Sequence, residues 1–100
     1  IRKDDGDTNI DLVSGLNSTY ATATALGTLA DDTFVNLAFY FDGKTSVAGY
    51  VNGVKKATLS VSSSTTLCTD EELLVAFAIQ NGEAAAKTMT VDYVFACKER

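Results

Sequence analysis

Hydrophobic and polar residues alternate along most of this chain, most regularly between residues 33 and 61. Three apolar runs in this stretch are separated by Asp42-Gly43 and Asn52-Gly53. Both dipeptides favour the positive φ angles of a type I′ turn, which joins two antiparallel strands. The stretch therefore predicts a meander of three antiparallel strands, around which the rest of the chain is organised.

The first strand of the meander, from Thr33 to Phe41, carries its largest apolar side chains. Each such side chain contributes about 1.5–3 kcal/mol on burial, before the entropy of ordering is subtracted. We therefore expect this strand to be the central one of its sheet. Its predicted inward face consists of Val35, Leu37, Phe39 and Phe41.

The second and third strands are predicted over residues 45–52 and 54–61. Gly49 lies in the middle of the second strand, where glycine indicates a bulge or the close approach of another backbone. Lys55 and Lys56 interrupt the alternation of the third strand and predict an exposed end or a bulge. In the second strand, Val47 and Val51 are expected to share one face, with Ala48 and Tyr50 on the other. The residues expected on the buried face of the third strand are Ala57, Leu59 and Val61.

Two shorter strands are predicted before the meander. Residues 8–13 alternate with Ile10 and Leu12 on one side, which is typical of a half-buried strand. A loop over residues 14–18 leads to a second strand over residues 20–26. Its two expected faces are Tyr20, Thr22, Thr24 and Leu26 on one side and Ala21, Ala23 and Ala25 on the other.

The acidic cluster Asp4-Asp5-Gly6-Asp7 precedes these strands. It has the composition of a calcium loop but lacks the ligand spacing and the closing Glu of an EF-hand. An acidic turn with Gly6 at positive φ is the favoured interpretation.

Two further strands are predicted after the meander. Residues 70–80 alternate over four apolar positions, although Thr69 and Glu72 also fit a helix capping box, so that a helix is the alternative. Residues 88–96 alternate without such ambiguity. Seven or eight short strands with turns between them predict an all-β antiparallel sandwich or barrel. We expect residues 1–100 to form a single β-sandwich domain that belongs to a longer chain or assembly.

The amino-acid composition argues against most catalytic mechanisms. The chain contains no His, which is the usual general base and the commonest zinc ligand. A net charge of −5 argues against nucleic acid as a partner, because phosphate binding needs clustered Lys and Arg. No apolar run reaches the roughly 18–20 residues of a membrane span. We therefore expect no enzyme, no cofactor and no metal, and assign no catalytic, cofactor-binding or metal-binding residue.

Aromatic residues and the two cysteines leave alternatives open. Tyr40 and Tyr50 are candidates for a sugar-stacking surface, although Tyr is also simply a good strand former. Together with Asn52 they are the candidate ligand or partner contacts. For Cys68 and Cys97, two reduced thiols are favoured over a disulfide, and the distance between them decides.

Longer strings of the sequence resemble a known group of folds. FYFDGKTSVAGYVNGVKKATL, at residues 39–59, is similar to the laminin-G and concanavalin A-like lectin/glucanase group, in which a YVNGV hairpin recurs. LLVAFAIQNGEAAAKTMTVDYVFACKER, at residues 73–100, resembles the closing strands of that fold. The resemblance implies a jelly-roll sandwich. Members of the fold run to about twice this length, which implies further strands before Ile1.

A narrower resemblance concerns virus particles. RKDDGDTNIDLV, FYFDGK, YVNGV and KTMTVDYVFACKER, in that order, resemble a group of tailed-phage virion proteins. It implies a structural protein on the capsid surface, a capsid decoration or cement protein, whose partners are the capsid protein and copies of itself. The paired Glu residues of the glucanases and the calcium and sugar residues of the lectins have no match here. A carbohydrate-binding module, with a host-surface glycan as ligand, is the alternative.

Overall fold

A computed structural model describes residues 1–61, 66, 74–80, 84, 86 and 88–98. The chain divides into two compact units, Ile1–Asp70 and Glu71–Arg100. The described residues contain five β-strands and no helix, and all five strands belong to the first unit.

The five strands form two antiparallel sheets, an architecture compatible with a β-sandwich. One sheet has two strands, in the order β1-β2. The other has three, in the order β3-β4-β5, and confirms the predicted meander. The strands are β1 (Asn9–Leu16), β2 (Thr19–Thr28), β3 (Leu37–Phe41), β4 (Ser46–Val51) and β5 (Val54–Ser60).

Two hairpins close through two residues at positive φ. Asn52 and Gly53 have φ angles of 51° and 76°, which confirms the predicted turn between β4 and β5. Asn17 and Ser18, at 49° and 66°, join β1 to β2. The loop predicted over residues 14–18 is therefore shorter than expected, because Asn tolerates the left-handed conformation well enough to turn the chain tightly.

The prediction of a two-residue type I′ turn at Asp42-Gly43 is wrong. Gly43 has a φ of 78°, but Phe41 pairs with Val47, so that the connection between β3 and β4 is longer than two residues. The Asp42 side chain determines this geometry, as described below. The predicted acidic turn near the start of the chain is confirmed, with Gly6 at a φ of 73°.

A bulge interrupts β2 opposite Asp11. The register shifts there, so that Asp11 alone faces several residues of β2. Ala25 lies in the bulge at a φ of 57°, and its N–H donates to Oδ1 of Asp11 at 3.0 Å. The Asp11 carboxylate thus stabilises a backbone conformation that is uncommon for Ala.

This bulge makes the predicted faces of β2 wrong. Strict alternation places Tyr20 and Leu26 together, whereas Tyr20 is exposed and Leu26 is buried. The bulge gives β2 two extra residues, so Ala23 and Gly27 on either side of it keep the same face, and Leu26, which lies inside the bulge, turns into the core. The residues of β2 that pack in the core are Ala21, Ala23 and Leu26.

A small apolar core lies between the two sheets. Its buried members are Ile10, Leu12, Leu26, Val47, Leu59 and Val61. Ala57 and Val51 pack against this cluster, so the buried faces predicted for β1 and β5 are confirmed, as is the shared face of Val47 and Val51. Lys56 is the extra residue where the register of β5 shifts, which confirms the predicted bulge.

Gly49 allows the two sheets to approach closely. A Cβ atom at this position would lie 2.7 Å from Cδ2 of Leu26 and 3.2 Å from Cδ2 of Leu12. The first distance is shorter than two carbon atoms tolerate, so β4 meets the leucines of the opposite sheet with its bare backbone. The close approach predicted at Gly49 is confirmed.

β3 is not the central strand that its large side chains predict. It lies at the edge of its sheet among the described residues, and β4 is central. Phe39, expected inside, is 66% exposed. Composition is a poor guide here because a strand's apolar face is buried only where a second layer covers it, and β2 lies against β5 and β4.

The strands predicted after the meander are not observed in the described residues. Residues 74–80 and 88–98 form neither strand nor helix, and their side chains are exposed. Residues 70–73 lie outside the described part of the chain. Alternation gives a strand only where a neighbouring strand pairs with its backbone N–H and C=O groups, and the alternating pattern alone does not supply that neighbour.

Replacing Gly49 with Ala is expected to destabilise the first unit by about 1–3 kcal/mol, because the new methyl group overlaps Leu26. Urea unfolding followed by circular dichroism measures this cost. In a Leu26→Ala background the same substitution should cost less, since the overlapping methyl groups are gone. Equal costs in both backgrounds would show that Leu26 is not what Gly49 accommodates.

Candidate functional site

The inner face of β3 is an apolar surface that the described residues of the first unit leave uncovered. We call the face of the three-stranded sheet that carries Val47 and Gly49 its inner face. Leu37 and Phe39 share it, because Phe39 pairs with Gly49 and the side chains of paired residues point the same way. Leu37 is 39% exposed and Phe39 is 66% exposed. Only Phe41, at the end of β3, packs against the core.

The backbone of β3 also has a free edge. The Asn52 N–H donates to the Asn36 carbonyl at 2.8 Å, and the Asp42 N–H donates to the Ser46 carbonyl at 3.1 Å. Even-numbered residues of this segment therefore bond to β4, and hydrogen bonding alternates along an antiparallel pair. The N–H and C=O groups of Leu37, Phe39 and Phe41 consequently point away from β4. No strand in the described part of the chain lies on that side. We call these groups the β3 edge.

The outer face of the same sheet brings Tyr40 and Tyr50 together. Tyr40 pairs with Ala48 and Tyr50 pairs with Ala38, so the tyrosines lie on a diagonal of neighbouring strands. Diagonal neighbours are about 7–8 Å apart, within reach of aromatic side chains. Tyr40 is 52% exposed and Tyr50 is half-buried. Ala38 and Ala48 occupy the other diagonal, and Ala48 is buried there.

Unlike the tyrosines, Asn52 uses its side chain to bind the backbone of its own chain. Its Oδ1 accepts the N–H of Asn36 at 2.9 Å, while its own N–H bonds to the Asn36 carbonyl. The residue thus fixes the chain that enters β3 onto the tip of the β4–β5 hairpin. That Tyr40, Tyr50 and Asn52 contact a ligand or partner stays a prediction.

The Asp42 carboxylate holds the loop that joins β3 to β4. Its Oδ1 accepts the N–H groups of Lys44, Thr45 and Ser46 at 2.8, 2.9 and 3.0 Å, and its Oδ2 accepts the Ser46 hydroxyl at 2.8 Å. These hydrogen bonds, led by that of the Ser46 amide, hold the pKa of Asp42 well below its usual range. Both carboxylate oxygens accept hydrogen bonds from the loop itself, so Asp42 has a structural role.

Neither a metal site nor a membrane-spanning helix is evident in the described residues. No group of three or more Asp, Glu or Cys side chains there has the arrangement to hold a metal ion. The described residues contain no helix of the length and hydrophobicity that crossing a membrane requires. Cys97 is an exposed, free thiol, and Cys68 lies outside the described part of the chain.

Sequence reasoning missed the β3 edge, although a signal for it exists. Edge strands usually carry charged residues or bulges that prevent pairing with other chains, and Lys55 and Lys56 mark β5 in this way. β3 reads LAFYF, with neither. Large apolar side chains predict burial, but they suit burial by a partner as well as burial by the chain itself.

Comparisons with known proteins found no matching family model, no matching curated protein and no matching solved structure.

Asp42→Asn is expected to lower the urea midpoint at about pH 7, because the neutral amide binds the loop N–H groups more weakly than the carboxylate. The folded pKa of Asp42 lies below its unfolded value of about 3.9, so the unfolded chain takes up the proton first as the pH falls. The carboxylate's contribution is thus fully present above about pH 4 and is lost progressively below it.

The difference in midpoint between the native chain and Asp42→Asn should therefore shrink in acid. Asp5→Asn, at an exposed position outside the strands, is the matched control and should leave the midpoint almost unchanged. A difference that stays constant down to the lowest accessible pH would contradict the role given to the Asp42 charge.

Proposed function

We propose that this chain is a structural component of a bacteriophage virion, a capsid decoration or cement protein that acts by binding other proteins and not as an enzyme. We further propose that its two sheets belong to a jelly-roll of the laminin-G and concanavalin A-like type. The ordered strings that resemble tailed-phage virion proteins support the assignment to a virion. The geometry of β3 supports binding as the mode of action.

The observation that carries the proposal is the uncovered inner face of β3 next to its free backbone edge. Single exposed apolar residues are ordinary, but an exposed Phe and Leu on one strand beside unpaired N–H and C=O groups form a surface for another polypeptide. An incoming strand gains main-chain hydrogen bonds from the edge and buries Phe39 and Leu37 at once. The capsid protein and further copies of this chain are the proposed partners.

The second candidate is a carbohydrate-binding module, favoured by the diagonal pair Tyr40 and Tyr50. Flat aromatic surfaces stack against the apolar faces of sugar rings, and the outer face of this sheet is bordered by hydroxyl-bearing residues such as Thr58, which pairs with Ala48. A host-surface glycan is the proposed ligand in this case. The virion proposal is preferred because the exposed Leu37 and Phe39 and the β3 edge lie away from the tyrosines and suit a polypeptide, not a sugar.

Purified particles of the phage that encodes this chain should contain it as a capsid component. Antibodies raised against the full chain, carrying gold labels, should decorate the capsid at many positions in electron micrographs. The expected result follows from binding to a repeated capsid protein. Presence of the chain in infected cells together with its absence from purified particles would contradict the proposal.

Calorimetric titration of the full chain with oligosaccharides separates the two candidates. Binding that is lost in both Tyr40→Ala and Tyr50→Ala, but kept in Tyr20→Ala at an exposed position of β2, would favour the carbohydrate-binding module. Particle binding that all three variants keep, with no heat of sugar binding, is the result expected for the virion protein.

A further inference from the structure

The described sheets have four edges, and three of them carry a feature that discourages pairing with another chain. On β1, Arg2 occupies the edge by exchanging two backbone hydrogen bonds with Asp11, at 2.8 and 2.7 Å. β2 is bent by its bulge at Ala25. β5 has Lys55 and the bulged Lys56. Such features are what natural sheets use against edge-to-edge association.

β3 carries none of these features. Its five residues contain no charge, no Gly and no Pro, and its register with β4 is unbroken. Its outward backbone groups, the β3 edge, are evenly spaced over Leu37, Phe39 and Phe41. The contrast within one sheet, between an edge marked by two Lys residues and an unmarked apolar edge, indicates that β3 is the edge that binds.

We propose that the β3 edge pairs antiparallel with the β3 edge of a second copy of this chain, about a two-fold axis at Phe39. The two three-stranded sheets then join into one six-stranded sheet. The inference rests on the proposed function, in which the chain works by binding other proteins, and it names one of those proteins.

The register follows from which backbone groups point outward. Pairing Phe39 with Phe39 of the second copy makes a hydrogen-bonded pair of residues, because both N–H and C=O groups face the partner. The same register places Leu37 opposite the second copy's Phe41, which is also a hydrogen-bonded pair. All outward groups of the β3 edge are thereby satisfied.

Side chains in this register complement one another in size. On the inner face, Leu37 meets an aromatic ring and Phe39 meets its own counterpart, so the exposed apolar surface of both copies becomes continuous. On the outer face, Ala38 lies opposite the second copy's Tyr40. Cross-strand pairs of this kind, aromatic with aromatic or aliphatic, are those that stabilise sheets.

Charge and symmetry also favour a second copy over an unrelated strand. Each copy carries a net charge of −5, yet the contact contains no like-charged pair, because Asp42 lies opposite the second copy's Asn36. A two-fold axis at Phe39 brings two identical β3 edges together, so that each outward N–H of one copy meets a C=O of the other. Such a contact uses the same surface on both partners and closes after two copies.

Sedimentation of the full chain over a wide range of concentrations tests the proposal. A monomer–dimer equilibrium is expected, and Phe39→Lys should raise the dimer dissociation constant by roughly tenfold or more, since the two new charges face each other at the axis. Phe34→Lys is the matched control, because it removes an equally exposed Phe and adds the same charge outside β3. A monomer at every concentration, an open-ended polymer, or equal effects of the two variants would overturn the proposal.

Disulfide trapping tests the register without relying on Phe39→Lys. In a Cys68→Ser, Cys97→Ser background, an equimolar mixture of Leu37→Cys and Phe41→Cys chains should cross-link on mild oxidation. Paired Cα atoms lie about 5.5 Å apart, within the range of about 4.4–6.8 Å that a disulfide spans. Leu37→Cys alone should not cross-link, because its counterpart is displaced by about 13 Å along the strand. Cross-linking of Leu37→Cys alone, or none in the mixture, would overturn the register.

These outcomes are distinct from those of the virion experiment. A chain that labels the capsid but sediments as a monomer overturns the β3 pairing and leaves the proposed function standing. A dimer of the stated register that is absent from purified particles supports the pairing and contradicts the virion.

Discussion

The missing side chain at Gly49 is the constraint on which the rest of the first unit depends. Leu12 and Leu26, which are 2% and 3% exposed, occupy the space where a β-carbon of β4 would otherwise lie. This contact brings the backbone of the central strand against the side chains of the opposite sheet. It fixes the position of β1 and β2 over the β4–β5 side of the three-stranded sheet, where Val47 and Leu59 complete the core.

That placement divides the three-stranded sheet into a closed part and an open part. β4 and β5 contribute their inner faces to the core, while β3 reaches beyond the cover that β2 provides. Two polar contacts nevertheless hold β3 in the sheet, the Asp42 carboxylate at its end and Asn52 at the segment that enters it. For the proposed partner, a strand that is already ordered in the sheet lowers the entropic cost of binding. Local polar chemistry thus holds the strand in place, while Leu37 and Phe39 stay exposed.

The sequence predicts those features that local chemistry determines. The Asn52-Gly53 turn, the bulge at the lysines of β5 and the inward Ile10 and Leu12 all follow from the conformational preference of a few neighbouring residues. The failures share a different cause. The faces of β2 depend on the Asp11 carboxylate, which meets the N–H of Ala25 fourteen residues away, and no periodicity in β2 itself records that contact.

Whether β3 is covered, and whether the residues after the meander pair as strands, also depends on contacts with distant parts of the chain, which the local sequence does not record. Alternation in Leu37–Phe41 and in residues 88–96 reports which side chains share a face, but not whether a second layer or a neighbouring strand is present. Of the candidate contacts, the sequence identifies Tyr40 and Tyr50 by type, whereas their diagonal proximity appears only once the register of β3 with β4 is known. The β3 edge was open to prediction from the contrast between LAFYF and the paired lysines.

The central claim is that alternate backbone groups of β3 bond to β4 and the others are free. Amide hydrogen exchange measured by NMR, at concentrations where the chain is monomeric, tests it residue by residue. The account predicts slow exchange at Ala38 and Tyr40, whose N–H groups face β4, and fast exchange at Leu37, Phe39 and Phe41. Uniform protection along β3 in the monomer would contradict it, because the β3 edge would then already be covered.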